Sequence, residues 1–154
     1  MPTVLIIDDD CATRAALETL LKKKRFCVFL APDGPTGIRL IGSVSFDAVV
    51  IDMFMPGMDG IATIRELIKL DPTVPFIAIS GYAFTDKKLG APDFLGMAIK
   101  LGATAALQKP FDILDLLEAV DRAIEVRQRL LSEARHGAPH PRLSGRAHNE
   151  HPGR

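Results

Sequence analysis

Five short apolar runs, each five or six residues long, punctuate residues 3–108, and each is followed by a stretch with a different rhythm. They are Thr3–Ile7 (TVLII), Phe26–Leu30 (FCVFL), Phe46–Ile51 (FDAVVI), Pro75–Ile79 (PFIAI) and the weaker Thr104–Gln108. Branched and aromatic side chains dominate, as in strands, and unbroken apolar runs belong to strands covered on both faces. The segments that follow repeat their apolar residues at helical spacing. Ala16, Leu17, Leu20 and Leu21 do so first, ahead of the basic Lys22–Arg25 segment. Pro32-Asp33-Gly34-Pro35 is turn chemistry, and Ile38 and Ile41 predict a short helix closed by Gly42. Ile61, Ile64, Leu67 and Ile68 predict a third helix, and Pro92–Leu101, stopped by Gly102, a fourth. Ile113, Leu116, Leu117, Val120 and Ile124 form the clearest stripe, on a helix reaching about Leu131. Residues 82–91 read as a loop. Five such units in series predict a parallel sheet with helices on both faces, in one α/β domain.

The chain has 154 residues, room for one such domain and little more. Its 19 basic and 19 acidic residues balance, which argues against a protein that coats nucleic acid or an anionic membrane. No apolar run approaches the roughly 20 residues of a membrane helix. The start, Met1-Pro2-Thr3, has no basic segment ahead of its apolar run, unlike a signal peptide. Cys11 and Cys27 form neither a disulfide framework nor a zinc site, so a cytoplasmic protein is expected. The domain is predicted to span 1–131. Residues 132–154 hold all four histidines (136, 140, 148 and 151), with four basic and two acidic residues and no apolar period. They are expected to form a disordered, basic tail, with the histidines solvated rather than binding metal.

In a parallel sheet ligands collect beyond the carboxyl ends of the strands. Here the first run ends in Asp8-Asp9, the third in Asp52, the fourth in Ser80 and the fifth in Lys109. Taken singly, each has a plainer role: Asp8 to Asp10 as helix caps, Ser80 in a turn, Lys109 on the surface. Together they bring three carboxylates, a hydroxyl and an ammonium to one edge. Crowded carboxylates repel unless a cation relieves them, and Mg²⁺ takes hard oxygen ligands while keeping several waters. Such a site can bind a phosphoryl group, with an Asp carboxylate as nucleophile and the cations and hydroxyl offsetting charge on the phosphoryl oxygens.

With these residues in place, the chain resembles the receiver domain of response regulators, the phosphorylation module of two-component signalling. The matching segments are Val4–Asp10 (VLIIDDD), Ala31–Gly34 (APDG), Phe46–Gly60 (FDAVVIDMFMPGMDG), Pro75–Gly81 (PFIAISG) and Gln108–Phe111 (QKPF), within residues 3 to about 127. The resemblance implies a flavodoxin-like (βα)5 fold with strand order 2-1-3-4-5. It implies Asp52 as phosphoacceptor, and Mg²⁺ (or Mn²⁺) held by Asp9, Asp52 and the backbone carbonyl of Phe54, with Asp8 acting through a bound water. Ser80 and Lys109 would contact the phosphoryl group, and the bond before Pro110 would be cis. Met55, Pro56 and Gly57 would shape the loop after the acceptor. The implied donor is a phosphohistidine on a sensor histidine kinase or a phosphotransfer protein. A single-domain regulator is expected, with output through a protein of unknown identity rather than through DNA or membrane.

Three departures from the family pattern stand out. The position three before Lys109, usually Tyr or Phe, is Ala106, so the usual coupling of hydroxyl and ring cannot run through it; Tyr82 and Phe84, near the Ser80 end, are the candidate substitutes. The span from Ser80 to Lys109 is longer than usual, with the extra residues in 82–94, where they would remodel a partner-binding face. Phe54 and Tyr82, two residues after Asp52 and Ser80, are bulky, and exclusion of the hydrolytic water would make self-dephosphorylation slow. No catalysis is expected beyond that and self-phosphorylation from small donors.

The competing readings are a receiver that binds partners without phosphorylation and an aspartate-nucleophile phosphatase. The second lacks the general acid that such enzymes carry two residues after the nucleophile, where this chain has Phe54. A nucleotide- or flavin-binding domain ranks last, since no glycine-rich phosphate loop follows a strand.

Overall fold

A computed structural model describes residues 1–81 and 93–137. Strands and helices alternate: β1 (Thr3–Ile7), α1 (Cys11–Lys23), β2 (Cys27–Ala31), α2 (Gly34–Ser43), β3 (Ala48–Asp52), α3 (Gly60–Leu70), β4 (Phe76–Ser80), α4 (Phe94–Lys100), β5 (Ala105–Gln108) and α5 (Ile113–His136). The strands form one parallel sheet in the order β2-β1-β3-β4-β5, as the resemblance implied.

The side-chain period of 2 divides the core between the two faces. On β1, β3 and β4, Leu5, Ile7, Val49, Ile51, Phe76 and Ala78 join the cluster under α3 and α4. Their neighbours Val4, Ile6, Ala48, Val50, Ile77 and Ile79 join Leu17 and Leu21 of α1 and Leu116, Val120 and Ile124 of α5. Both faces of the central strands are sealed, so their sequences read as unbroken apolar runs rather than alternating ones.

Each of the five helices among the described residues is capped by an aspartate. Asp10, Asp33, Asp59, Asp93 and Asp112 are the N-caps of α1 to α5, each accepting a backbone N–H from two or three residues further on. A carboxylate there satisfies a donor that the helix leaves unpaired and faces the positive end of its dipole. This separates the acidic run Asp8-Asp9-Asp10: the third residue caps α1, and its pKa is held low by Thr13 and the Ala12 N–H. The first two remain for the sheet edge.

Two helices differ from the sequence reading. Gly34 and Pro35, read as turn residues, form the first turn of α2, because Asp33 caps it and proline fits a helix start. α5 runs to His136, five residues past Leu131, so the first part of the expected tail is helical. The remaining tail, 138–154, and the expected loop at 82–91 lie outside the described residues.

At the edge remote from the acidic residues, Arg127 continues the buried stripe of α5. Its guanidinium donates to Asp71 Oδ2 at 2.9 Å, to Thr73 Oγ1, and to Ser45 Oγ at 3.2 Å. One side chain thus ties α5 to the loops before β3 and β4. Burial alone would raise the Asp71 pKa, but hydrogen bonds from Thr73 and Arg127 outweigh it and hold the carboxyl low.

Candidate functional site

The site grows from the ends of β1, β3 and β5. Asp8 follows β1 directly and is fully buried. Each of its polar groups is occupied. Its N–H donates to Ala31 O at 3.1 Å. Its carbonyl accepts from Arg14 Nη1 at 2.7 Å. Carboxylate Oδ1 accepts the Asp10 N–H at 2.9 Å, and Oδ2 accepts from Lys109 Nζ at 2.8 Å. Asp52, the last residue of β3, is only 4% exposed, and its Oδ1 accepts the Phe54 N–H at 3.1 Å. Lys109 Nζ stands 3.6 Å from Asp52 Oδ2. Asp9 is exposed beside them, and one carboxylate oxygen from each of Asp8, Asp9 and Asp52 can be chosen so that all three lie within 4.8 Å of one another.

The backbone that presents Asp52 is closely fitted. Gly57 adopts φ +77°, a left-handed conformation that favours glycine, in the loop back to α3. Gly60 opens α3 against the end of β3, where an added Cβ would stand 2.5 Å from Met53 Cα and 2.6 Å from Asp52 O. No side chain fits there, so the last glycine of the MPGMDG segment is a packing requirement. The Lys109 N–H donates to Ser80 O at 2.7 Å, and Lys109–Pro110 is cis.

Electrostatics favour a bound cation. Burial, then the Asp8 charge, push the Asp52 carboxyl up to about 7, against the opposing effects of the Phe54 N–H and Lys109. Burial would lower the Lys109 pKa, but its hydrogen bond to Asp8 and the charges of Asp52 and Asp8 raise it overall. Converging carboxylates with one exposed member form a hard-oxygen donor set of the kind that suits Mg²⁺ with retained waters.

The structure thus brings Asp8, Asp9, Asp52 and Lys109 together. Ser80 lies at the same edge with its side chain buried. Phe54 is 44% exposed, and its ring packs edge-on against Phe94, the first residue of α4, with centroids 5.8 Å apart. Tyr82 and Phe84 lie outside the described residues. Ala106 sits opposite Ala78 in the β4–β5 ladder and faces the α4 side of the core. The sequence reading missed Arg14 and Phe94. An arginine one helical turn past the cap was the available signal for the first. The second had none, because the approach of Phe54 and Phe94 joins residues 40 positions apart.

Comparison with known proteins agrees with this arrangement. Residues 4–121 match the family of response regulator receiver domains. The transcriptional regulatory protein ZraR of Escherichia coli is 31% identical over 121 residues, covering 79% of this chain but 26% of that protein. The chain therefore spans about a quarter of that regulator's length. Sporulation initiation phosphotransferase F of Bacillus subtilis is 28% identical over 124 residues, covering 80% of this chain and 94% of that protein. The crystal structure of a response regulator receiver domain protein from Clostridium thermocellum superposes with a TM-score of 0.74 at 31% identity, covering 85% of this chain and 99% of that one. This chain belongs to the response regulator receiver family, whose members accept phosphoryl groups at an acidic, Mg²⁺-binding pocket.

Proposed function

We propose that Asp52 accepts a phosphoryl group from a phosphohistidine on a sensor histidine kinase or a histidine phosphotransfer protein. One observation carries this reading: a buried carboxylate at the centre of the sheet edge, with an ammonium 3.6 Å away and two further carboxylates in reach. Mg²⁺ or Mn²⁺ would be held by Asp9, Asp52 and the Phe54 carbonyl, with Asp8 acting through a bound water, and would offset charge on the phosphoryl oxygens. A carboxylate oxygen of Asp52 attacks phosphorus. The phosphorus–nitrogen bond breaks and its electron pair stays on that nitrogen; with the other ring nitrogen carrying a proton, the imidazole leaves as neutral histidine. Lys109 and the Ser80 hydroxyl bind the transferred oxygens. Phe54 and Tyr82 restrict water, so the acyl phosphate is long-lived.

The added charge then shifts a two-state equilibrium that another protein reads. The match to sporulation initiation phosphotransferase F, which covers 94% of that protein at 28% identity, supports a role in phosphotransfer, and output is through protein contact. Residues 1–131 act as the receiver, residues 82–94 set partner choice, and the chain works in the cytoplasm. Among the described residues no helix is long and apolar enough to cross a membrane. Ala106 favours a second reading, a receiver that binds partners without phosphorylation.

Intact-mass analysis after incubation with acetyl phosphate and Mg²⁺ separates the two. A single phosphoryl adduct, absent without metal and from Asp52→Asn, is expected. No adduct, together with a spectrum unchanged by beryllofluoride, would favour the second reading.

A further inference from the structure

We propose that the Phe54–Phe94 ring pair couples the acceptor pocket to α4, in place of the ring that this chain lacks at position 106; the proposal rests on Asp52 being the phosphoacceptor. The first link is the hydrogen bond from the Phe54 N–H to Asp52 Oδ1, 3.1 Å long. Phosphorylation alters this bond whichever oxygen reacts. If Oδ1 reacts, it becomes the bridging oxygen of the acyl phosphate, a poor acceptor. If Oδ2 reacts, Oδ1 becomes a neutral carbonyl and loses the charge that strengthens the bond. The backbone of Phe54 therefore registers the chemistry directly.

The second link is the ring contact. The two planes meet at 79°, so the edge of one ring bears on the face of the other. A shift of Phe54 changes that contact at the first residue of α4. The third link is α4 itself. It has seven residues, of which Ala98 alone is buried, while Met97 and Ile99 are exposed. Phe94 and Leu95 are only half-buried against the core, so α4 rests on partial contacts concentrated at the end that bears Phe94, and a small displacement there can move it. The usual site of coupling is silent here. Ala106 faces the same side of the core as α4 and pairs with Ala78, two methyl groups with no side-chain rotation to transmit.

Amide NMR spectra with and without beryllofluoride and Mg²⁺ test this, beryllofluoride standing in for the phosphoryl group. Shifts at Met53 and Phe54 report filling of the pocket, and those at Ala98–Leu101 report α4. In the wild type both sets are expected to move. Phe94→Ala should keep the pocket shifts and lose about half or more of the α4 shifts. Phe94→Tyr should restore them; Phe94→Leu, which keeps apolar bulk and protects folding, should not. Full α4 shifts in Phe94→Ala or Phe94→Leu would overturn the proposal, as would a wild type whose pocket responds while α4 does not. A wild type with no pocket shifts and no phosphoryl adduct would overturn the acceptor assignment as well.

Discussion

Lys109 bonds to Asp8 at 2.8 Å and stands off from Asp52 at 3.6 Å. The ammonium pairs with both carboxylates but is held more closely by Asp8 than by Asp52, the proposed acceptor. Two consequences follow for the same side chain. It occupies an oxygen of Asp8 near which a hydrated metal would bind, and on the proposed reading it would turn toward Asp52 to meet a phosphoryl group.

Lys109→Met should therefore separate metal binding from phosphotransfer. Removing the ammonium frees Asp8, so Mg²⁺ affinity by calorimetry is expected to be equal or tighter. The phosphorylation rate should fall by roughly 100-fold, the scale of losing one charged group that stabilises a transition state. A parallel loss of both would show that Lys109 only holds the pocket in shape.

The raised pKa of Asp52, about 7, sets a pH dependence. Its value in an unfolded chain is near 3.8, so between these limits the folded state binds more protons. For the metal-free protein, stability should fall as pH rises through that window, with the full penalty present above pH 7. Asp52→Asn removes the ionisation. Its stabilisation should be near zero at pH 4 and about 1–3 kcal/mol at pH 8, less than the whole shift implies because water reaches the pocket rim. Urea unfolding in a chelator at both pH values measures it. A gain of equal size at both would exclude ionisation as the cause.

Gly60→Ala should damage the site from behind. The new Cβ would press on the Met53 and Asp52 backbone at 2.5 and 2.6 Å, and the end of β3 must yield. A loss of about 1–3 kcal/mol is expected. The fraction phosphorylated at saturating acetyl phosphate should fall with it. Wild-type phosphorylation in a folded Gly60→Ala protein would show that Asp52 tolerates the displacement.

Phe54 places apolar bulk two residues after Asp52, the proposed acceptor. The phosphorylated wild type should decay slowly, and Phe54→Asn should shorten its lifetime by roughly 3- to 10-fold by admitting and orienting water. Decay followed by intact mass after removal of the donor checks this. Equal lifetimes would place the barrier elsewhere, with Tyr82→Ala as the next comparison.

The strands were legible to within one or two residues, because a buried parallel strand is an uninterrupted apolar run and this chain has five. The pocket was legible for a related reason: polar residues that end such runs fall on one edge. What escaped was tertiary. Nothing local marks Gly34 as helical, since Asp-Gly-Pro reads equally as a turn until its aspartate is seen to cap. Arg127 did leave a trace, falling one turn beyond Ile124 on the apolar stripe, where a charged residue implies a buried partner. That the partners are Asp71, Thr73 and Ser45 depends on three segments meeting.

That meeting of segments also determines what α5 offers to other molecules. Arg127 fastens the helix to the foot of the sheet, and the turns beyond it are exposed as far as His136. They project beyond the sheet as helix, anchored through Arg127 at the end away from the acidic residues. A protein that grips this handle holds the receiver by its frame. It would be carried along with the domain in either state, and would leave the pocket and α4 clear for whatever reads the signal.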